Sequence, residues 1–505
     1  MAQAAVNRTA ITITVLLASL MNTLDMTIAN VALPHIQGNV SASQDQIAWV
    51  LTSYIVASAV MTPLAGWLGG RFGRKNLLLV SVAAFTAASM LCGAANSLGE
   101  IVGARLLQGM AGASLTPLSQ SLLLDHTPLE RHGRAMALWG AVSLLGPILG
   151  PPIGGWLTDQ MSWRWVFFIN LPLGLLAFLG GWIFLDRNPQ DQPKPFDFLG
   201  YAALAVFLGS LQLMLDRGPG LDWFSNLEIQ IYLVTAAIAI WVFLVHTLTV
   251  EHPFFDRRLA RDSNFVAASI FSSVTSVLMF GSIAMMPAMM QGVLQYPVLL
   301  AGIVSIPRGL GSLLAMMVIG WLMDRFPSRA ILAIGIALTS FSFHQMAGFD
   351  LSMDTGPVIV SGFVQGIGVG ITFVPITTLA FSTIPASLRA EASTVFTLCR
   401  SIGSAVGISV MQALLVFHGQ SAHESLVAHV ASSSPVVVAA LPNGFDLGAL
   451  SGLSNLNGFI TRQGMMIAYL DNFYLMFWLS MFCFPLMVLL RPTRRNGGSV
   501  HVVSE

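Results

Sequence analysis

Asp25 lies in LMNTLDMTIANVALP (residues 20–34), a stretch otherwise suited to lipid, and Arg105, Arg308 and Arg400 lie within apolar runs further along. Ionisable groups at membrane depth are costly and mark ion or substrate pathways. Desolvation favours the protonated form of a carboxylate and a neighbouring cation favours the charged form, so a group held between the two can exchange a proton as its surroundings change. Asp25 stands about eight residues from the outer end of its run and Arg105 about five from the outer end of its own, depths that differ by about 5 Å at 1.5 Å per residue. An arginine side chain spans that gap, which makes Asp25 and Arg105 the candidate proton-coupling pair. Polar glue for Asp25 and a purely structural role for Arg105 are the alternatives. Arg308 and Arg400 have no acidic residue at their depth in the second part of the chain. Three buried arginines against one aspartate suit neutral or weakly acidic lipophilic ligands better than strong cations. Alternatively, both arginines bond carbonyls freed at Pro307 or elsewhere.

Other residue types could shape a path. LMFGSIAMMPAMM (278–290) carries five methionines, and flexible thioethers adapt to many ligand shapes. Met286 and Met290, with Asn30, Gln120, Arg308 and Arg400, are the candidate cavity residues; a lipid-facing or core stripe is the other account of the methionines. Gly146, Gly150 and Gly154 recur every four residues, with Gly155 beside them and Pro147, Pro151 and Pro152 between. Such a face admits another helix at close range, and the prolines interrupt the hydrogen-bond ladder. His418, His423 and His429 are spaced five and six apart, which does not bring them to one helical face, so no metal site is expected.

Several chemistries are excluded. Lys75 and Lys194 are the only lysines, and neither sits in a G-x-x-x-x-G-K-[ST] loop, so ATP hydrolysis by that route is not available. Any pumping must use an ion gradient or another subunit, and no cofactor is expected. No His/Ser/Asp set suited to a membrane transferase is present, and the chain is not expected to be an enzyme. A formal net charge of zero argues against a nucleic-acid partner. Cys92, Cys399 and Cys483 all fall in apolar runs, which predicts buried thiols and no disulfide framework.

The elements that must position these groups are transmembrane helices. The 505 residues are 55% hydrophobic and 9% charged, against about 25% charged in soluble domains. Apolar runs divide the chain into fourteen expected spans: 11–33, 47–69, 77–97, 101–124, 135–157, 165–185, 198–215, 229–249, 264–290, 298–322, 330–349, 356–384, 391–415 and 470–490. A long polar loop is expected over 416–469. The N-terminal run has no small-residue cleavage site and is expected to be retained as the first span. Seventeen of the 23 basic residues fall on the side of the N-terminus, including Arg71, Arg74, Lys75, Arg325 and Arg389, and only Arg164, Arg217 and Arg462 on the other. The positive-inside rule then puts both termini in the cytoplasm and the 416–469 loop outside.

The chain repeats itself. GWLGGRFGRKNLL (66–78) returns as GWLMDRFPSRAIL (320–332), offset 254, and LLQGMAGA (106–113) as FVQGIGVG (363–370), offset 257. Gly146 and Gly150 map onto Gly403 and Gly407 at the same 257. Two six-helix halves, 1–190 and 261–505, are expected around two additional helices in 191–260. Parallel repeats of this kind place a binding site between the halves near the midplane. At the offset of 257, Arg105 falls on Gly362, so the coupling pair belongs to the first half alone.

With these motifs, the chain resembles the fourteen-helix drug:proton antiporters of the major facilitator superfamily, in particular the EmrB-type multidrug exporters. The resemblance rests on LDMTIANVALP, GWLGGRFGRK, RLLQGMAG, LLGPILGPPIGGW, SWRWVFFINLPLG and LQLMLDRGPGLDWF (211–224), in that order over essentially the whole chain. It implies an all-α major facilitator fold and proton-coupled export of lipophilic toxic compounds across a bacterial inner membrane. Uptake of a small molecule by symport or facilitation is the alternative, and a receptor without transport is disfavoured by the repeat. It also implies a periplasmic adaptor and an outer-membrane channel as partners, beside membrane lipid. It assigns conformational roles to Gly66, Arg71, Gly73 and Arg74, to the glycine face as a hinge or seal between halves, and to Asp324 and Arg325 in the second copy of the loop. The family loop usually reads G-x-L-x-D-R-x-G-R; this chain has Gly70 in place of that Asp, whereas the second copy keeps Asp324.

Overall fold

Each apolar run becomes a helix in the computed structural model, which describes residues 2–128, 131–186, 195–385, 388–429 and 450–487. The first half comprises α1 (Ala2–Val40), α2 (Trp49–Met61), α3 (Leu64–Phe72), α4 (Arg74–Ala94), α5 (Leu98–Gly112), α6 (Leu115–Asp125), α7 (His132–Gln160) and α8 (Asn170–Phe184). The interposed pair is α9 (Phe198–Arg217) and α10 (Leu227–Thr249). The second half comprises α11 (Ser263–Ala288), α12 (Val298–Arg325), α13 (Ser328–Met346), α14 (Thr355–Phe381), α15 (Arg389–His429) and α16 (Leu450–Leu486). Among the described residues there is no strand.

Local chemistry sets where the helices begin and break. Side chains of Ser97, Asp197, Asn226 and Asp262 accept from main-chain N–H groups at the starts of α5, α9, α10 and α11, satisfying donors that a helix leaves free. Between α2 and α3 the axis bends by 57° at Thr62–Pro63, where a proline lacks the N–H that would continue the ladder. Gly73 separates α3 from α4 with φ 82°, a left-handed conformation that glycine adopts without steric cost.

Among the described residues ten helices are long and apolar enough to cross a membrane, and the bent α2/α3 pair makes up to eleven. The expected spans 101–124, 135–157 and 330–349 are also helical but are not among these. Apolar side chains that would otherwise be unfavourably hydrated cover the outside; on α10, Trp241 and Leu248 are 69% and 74% exposed. The 416–469 loop is corrected by the structure. α15 continues to His429 and α16 begins at Leu450, so helix occupies both ends of that stretch and only 430–449 falls outside the described residues. The polar composition of 416–429 marks helix that extends past the lipid-compatible part of α15.

The halves meet at the end that carries most of the basic residues. There the Ser393 hydroxyl donates to Gln120 Oε1 at 2.9 Å and lies 3.1 Å from the Pro117 carbonyl oxygen. Arg74 and Asp125 form an ion pair within the first half, and Arg389 of the second half reaches the other Asp125 oxygen at 3.8 Å. A Cβ at Gly66 would lie 3.2 Å from Glu391 Cα, and one at Gly320 would lie 2.9 Å from Arg134 Cγ.

Candidate functional site

α1, α5 and α8 bring together a buried polar cluster. Asp25 is fully buried and Arg105 nearly so. Arg105 Nη1 donates to Asp25 Oδ2 at 2.6 Å, while Gln108 Nε2 and Asn170 Nδ2 each donate to Oδ1 at 2.8 Å. The acid makes contact only with donors, the pattern of an ionised carboxylate. Arg105 is held in turn: Nε donates to the Val50 carbonyl oxygen at 3.1 Å, Nη1 to Gln108 Oε1 at 2.9 Å, and the guanidinium stands 4.2 Å from the Tyr54 ring centroid. The Tyr54 hydroxyl donates to Asn22 Oδ1 at 2.7 Å, and Asn22 lines the central cavity. A continuous chain of contacts therefore joins the buried pair to the cavity wall through Tyr54 and Asn22.

The sequence brought out Asp25 and Arg105 but not Gln108, Asn170, Tyr54 or Asn22. One signal was available: Gln108 follows Arg105 by three residues, hence on the same helical face. Asn170 is a single polar residue in an apolar run, and nothing in its spacing links it to Asp25.

Between the halves lies a cavity of about 690 Å³. Of the six candidate cavity residues, Asn30 and Arg400 line it. Arg400 stands over Trp139 and Phe373, 5.4 and 5.9 Å from their centroids, and among the described residues it has no carboxylate or carbonyl partner. The other four candidates do not line it. Arg308 donates through Nη2 to the Met279 carbonyl oxygen at 3.2 Å and to Ser282 Oγ at 2.9 Å, which matches the carbonyl-bonding alternative. Gln120 is buried in the contact between halves described above. Met286 and Met290 are buried with Met466, Phe473 and Met476 in an apolar cluster, because α11 turns that face inward and presents Met279, Phe280 and Ile283 to the cavity. These methionines are core. The cavity also receives Gln212 and Asp216 from the interposed α9, a contribution hidden in the sequence because Asp216–Arg217 looked like the start of a loop.

The conformational residues divide in the same way. The glycine face packs on α1 of its own half, not between halves: a Cβ at Gly146 would fall 2.6 Å from the Thr23 carbonyl carbon, and one at Gly154 would fall 2.8 Å from Ile28 Cγ1. Gly150 faces Thr27, and Gly155 is loosely placed, 4.0 Å from Val31 Cγ1. Arg71 is exposed and lies over Trp67, 5.3 Å from its centroid. Lys75 of the same cluster donates to the carbonyl oxygens of Trp182 (2.9 Å) and Leu185. Arg325 stacks on Trp321 at 4.0 Å. The side chains of Pro147 and Asp324 lie outside the described residues.

Comparison with known proteins places this geometry. The family described as Major Facilitator Superfamily matches residues 15–408. The chain is 35% identical over 474 residues to the multidrug export protein EmrB of Haemophilus influenzae, covering 93% of this chain and 92% of that one. The chain is an EmrB-type member of the major facilitator superfamily. Another relative, the fatty acid resistance protein FarB of Neisseria gonorrhoeae, is 34% identical, with 97% of each chain covered. Among solved structures, the proton:xylose symporter XylE shares the fold of this family member at TM-score 0.61 and 13% identity, covering 97% of each chain. The human organic anion transporter MFSD10 does so at TM-score 0.60 and 14% identity, covering 94% of this chain and 99% of that one.

Proposed function

We propose that this chain exports lipophilic compounds, neutral or weakly acidic ones favoured, across the bacterial inner membrane in exchange for protons. The observation that carries this reading is the buried Asp25–Arg105 pair, one contact chain away from a cavity between two repeated halves. Protonation of Asp25 would remove the charge that orders Arg105, Gln108 and Asn170. Their rearrangement would reach the cavity wall through Tyr54 and Asn22, so proton binding and access to the cavity change together. The basic end of the helices is the cytoplasmic one under the positive-inside rule, and the cavity is closed there, as an outward-facing state of alternating access requires. Arg400, which has no carboxylate or carbonyl partner among the described residues, supplies an anchor for an acid headgroup while the surrounding apolar residues take the tail. FarB, named for fatty acid resistance, supports this preference by its similarity. By the same family resemblance, a periplasmic adaptor and an outer-membrane channel receive the exported compound.

Proteoliposomes test the proposal. An imposed pH gradient, acidic on the side opposite the basic end, should drive long-chain fatty acid toward that acidic side, with proton movement in the reverse direction. Flux in the same direction as the proton would establish symport instead. Flux indifferent to the gradient would remove proton coupling.

A further inference from the structure

We propose that the interposed helix α9 supplies an anionic subsite in the cavity, centred on Asp216, that takes the cationic group of a lipophilic amine or quaternary cation. The inference rests on the exporter reading of the cavity but concerns binding, so each can fail separately. Three observations carry it. Asp216 is exposed and its exposure is to the cavity, whose wall it shares with Gln212 one helical turn earlier. Its carboxylate has a single partner, the hydroxyl of Thr52 on α2, and no guanidinium, ammonium or imidazole at ion-pair distance among the described residues. The adjacent cation is committed elsewhere: Arg217 Nε lies 3.0 Å from Glu228 Oε1, and its guanidinium stands 5.2 Å from the Trp49 centroid. An acid in the cavity wall whose neighbouring cation is bonded to another carboxylate is an open site for a positive charge.

Its height is fixed by the helix beside it. Ser409 Oγ on α15 donates to the Leu215 carbonyl oxygen at 2.6 Å, which puts Asp216 level with Ser409. Arg400 lies nine residues earlier on α15, about 14 Å along the axis at 1.5 Å per residue. The cavity thus carries a cation deep and an anion near its mouth, too far apart to neutralise each other. An acid headgroup and an amine headgroup would be held at different levels against the same apolar wall.

Calorimetric titration of the purified protein with tetraphenylphosphonium and, separately, with dodecanoate tests this. Asp216→Asn should weaken tetraphenylphosphonium at least tenfold and leave dodecanoate within twofold or tighter. Gln212→Asp in that background should restore cation binding, because it returns a carboxylate to the same wall. Thr52→Val removes the carboxylate's partner and should keep the preference for the cation. Equal loss of both ligands in Asp216→Asn, or the same loss in Thr52→Val, would make Asp216 a brace between helices and overturn the proposal. Absence of tetraphenylphosphonium binding to the unaltered protein would overturn it too. Should Asp216→Asn not fold, Gln212→Asp alone must strengthen cation binding over dodecanoate, or the subsite is not there. Dodecanoate export driven by a pH gradient stands or falls independently of these results.

Discussion

Gln108 and Gln365 occupy equivalent places in the two halves, each followed by a glycine pressed against the main chain of a neighbouring helix: Gly109 against Tyr54, Gly366 against Arg308. In the first half the Tyr54 position carries a phenol, and the guanidinium comes from Arg105 on the same helix as the glutamine. In the second half Arg308 stands at the Tyr54 position, and Gly362 stands where the repeat puts Arg105. A Cβ at Gly362 would meet only Arg308 Cβ, at 3.6 Å, so the missing side chain leaves the room that Arg308 uses. The acceptor differs as well. Gln108 donates to Asp25, whereas Gln365 donates to Ser282 Oγ at 3.2 Å. A serine accepts hydrogen bonds but does not ionise in the physiological range. One copy of the scaffold therefore holds an acid paired with a cation, and the other holds a cation hydrogen-bonded to a serine.

Replacing the acceptors should separate the halves most sharply. Asp25→Asn keeps the size and most hydrogen bonding of the side chain but carries no proton, and uphill export in proteoliposomes should fall to background. Ser282→Ala should leave gradient-driven export within about twofold of normal, since it removes hydrogen bonds worth about 1 kcal/mol each and no proton site. Uphill export at a normal rate by Asp25→Asn would make Asp25 structural and end the functional contrast.

The cations give the next largest difference. Arg105→Met leaves the Asp25 carboxylate buried without a counter-charge, and breaking a buried pair in this way costs about 3–5 kcal/mol. Arg308→Met loses hydrogen bonds to Ser282 and Met279 but also removes a desolvated charge that has no ion-pair partner among the described residues, so the net cost should stay near about 1 kcal/mol. Thermal unfolding in one detergent compares the two. Equal destabilisation would mean that Arg308 has a counter-charge after all.

Much of this contrast was legible in the sequence, and the part that was not has a physical cause. The depths of Asp25 and Arg105 follow from helical rise alone, and the offset of 257 already put Gly362 opposite Arg105. Spacing along one chain cannot say which face of a helix turns inward when every face is apolar, and so Met286 and Met290 went to the cavity in expectation and to the core in the structure. The same limit applies to Gln120, whose amide serves the contact between halves. Asp216 was missed for a different reason. A charged pair at a helix end marks a loop by composition, but α9 lies between the halves, and its last turn meets the cavity.

The glycine faces give the smallest contrast, and the packing geometry sets its sign. A Cβ at Gly407 would lie 2.6 Å from both Cα and the carbonyl oxygen of Val277, so Gly407→Ala has to move α11 against α15 along their contact. At Gly150 the nearest obstruction is the Thr27 hydroxyl, with Thr27 Cβ next at 3.0 Å. That hydroxyl donates to the Gly146 carbonyl oxygen at 3.0 Å, but the Leu24 carbonyl oxygen of its own helix is also 3.0 Å away. The side chain can turn and keep a partner. Overpacking costs about 1–3 kcal/mol; Gly407→Ala should fall in that range and Gly150→Ala at or below its lower end. Double substitutions expose the difference. Thr27→Ala should recover most of the loss in Gly150→Ala, because a side-chain atom is the obstacle. Val277→Ala should recover none of the loss in Gly407→Ala, because the obstacle is main chain. Thermal unfolding of the two glycine variants, the two partner variants and the two doubles measures both couplings, and recovery of Gly407→Ala by Val277→Ala would show that the two glycine faces pack alike.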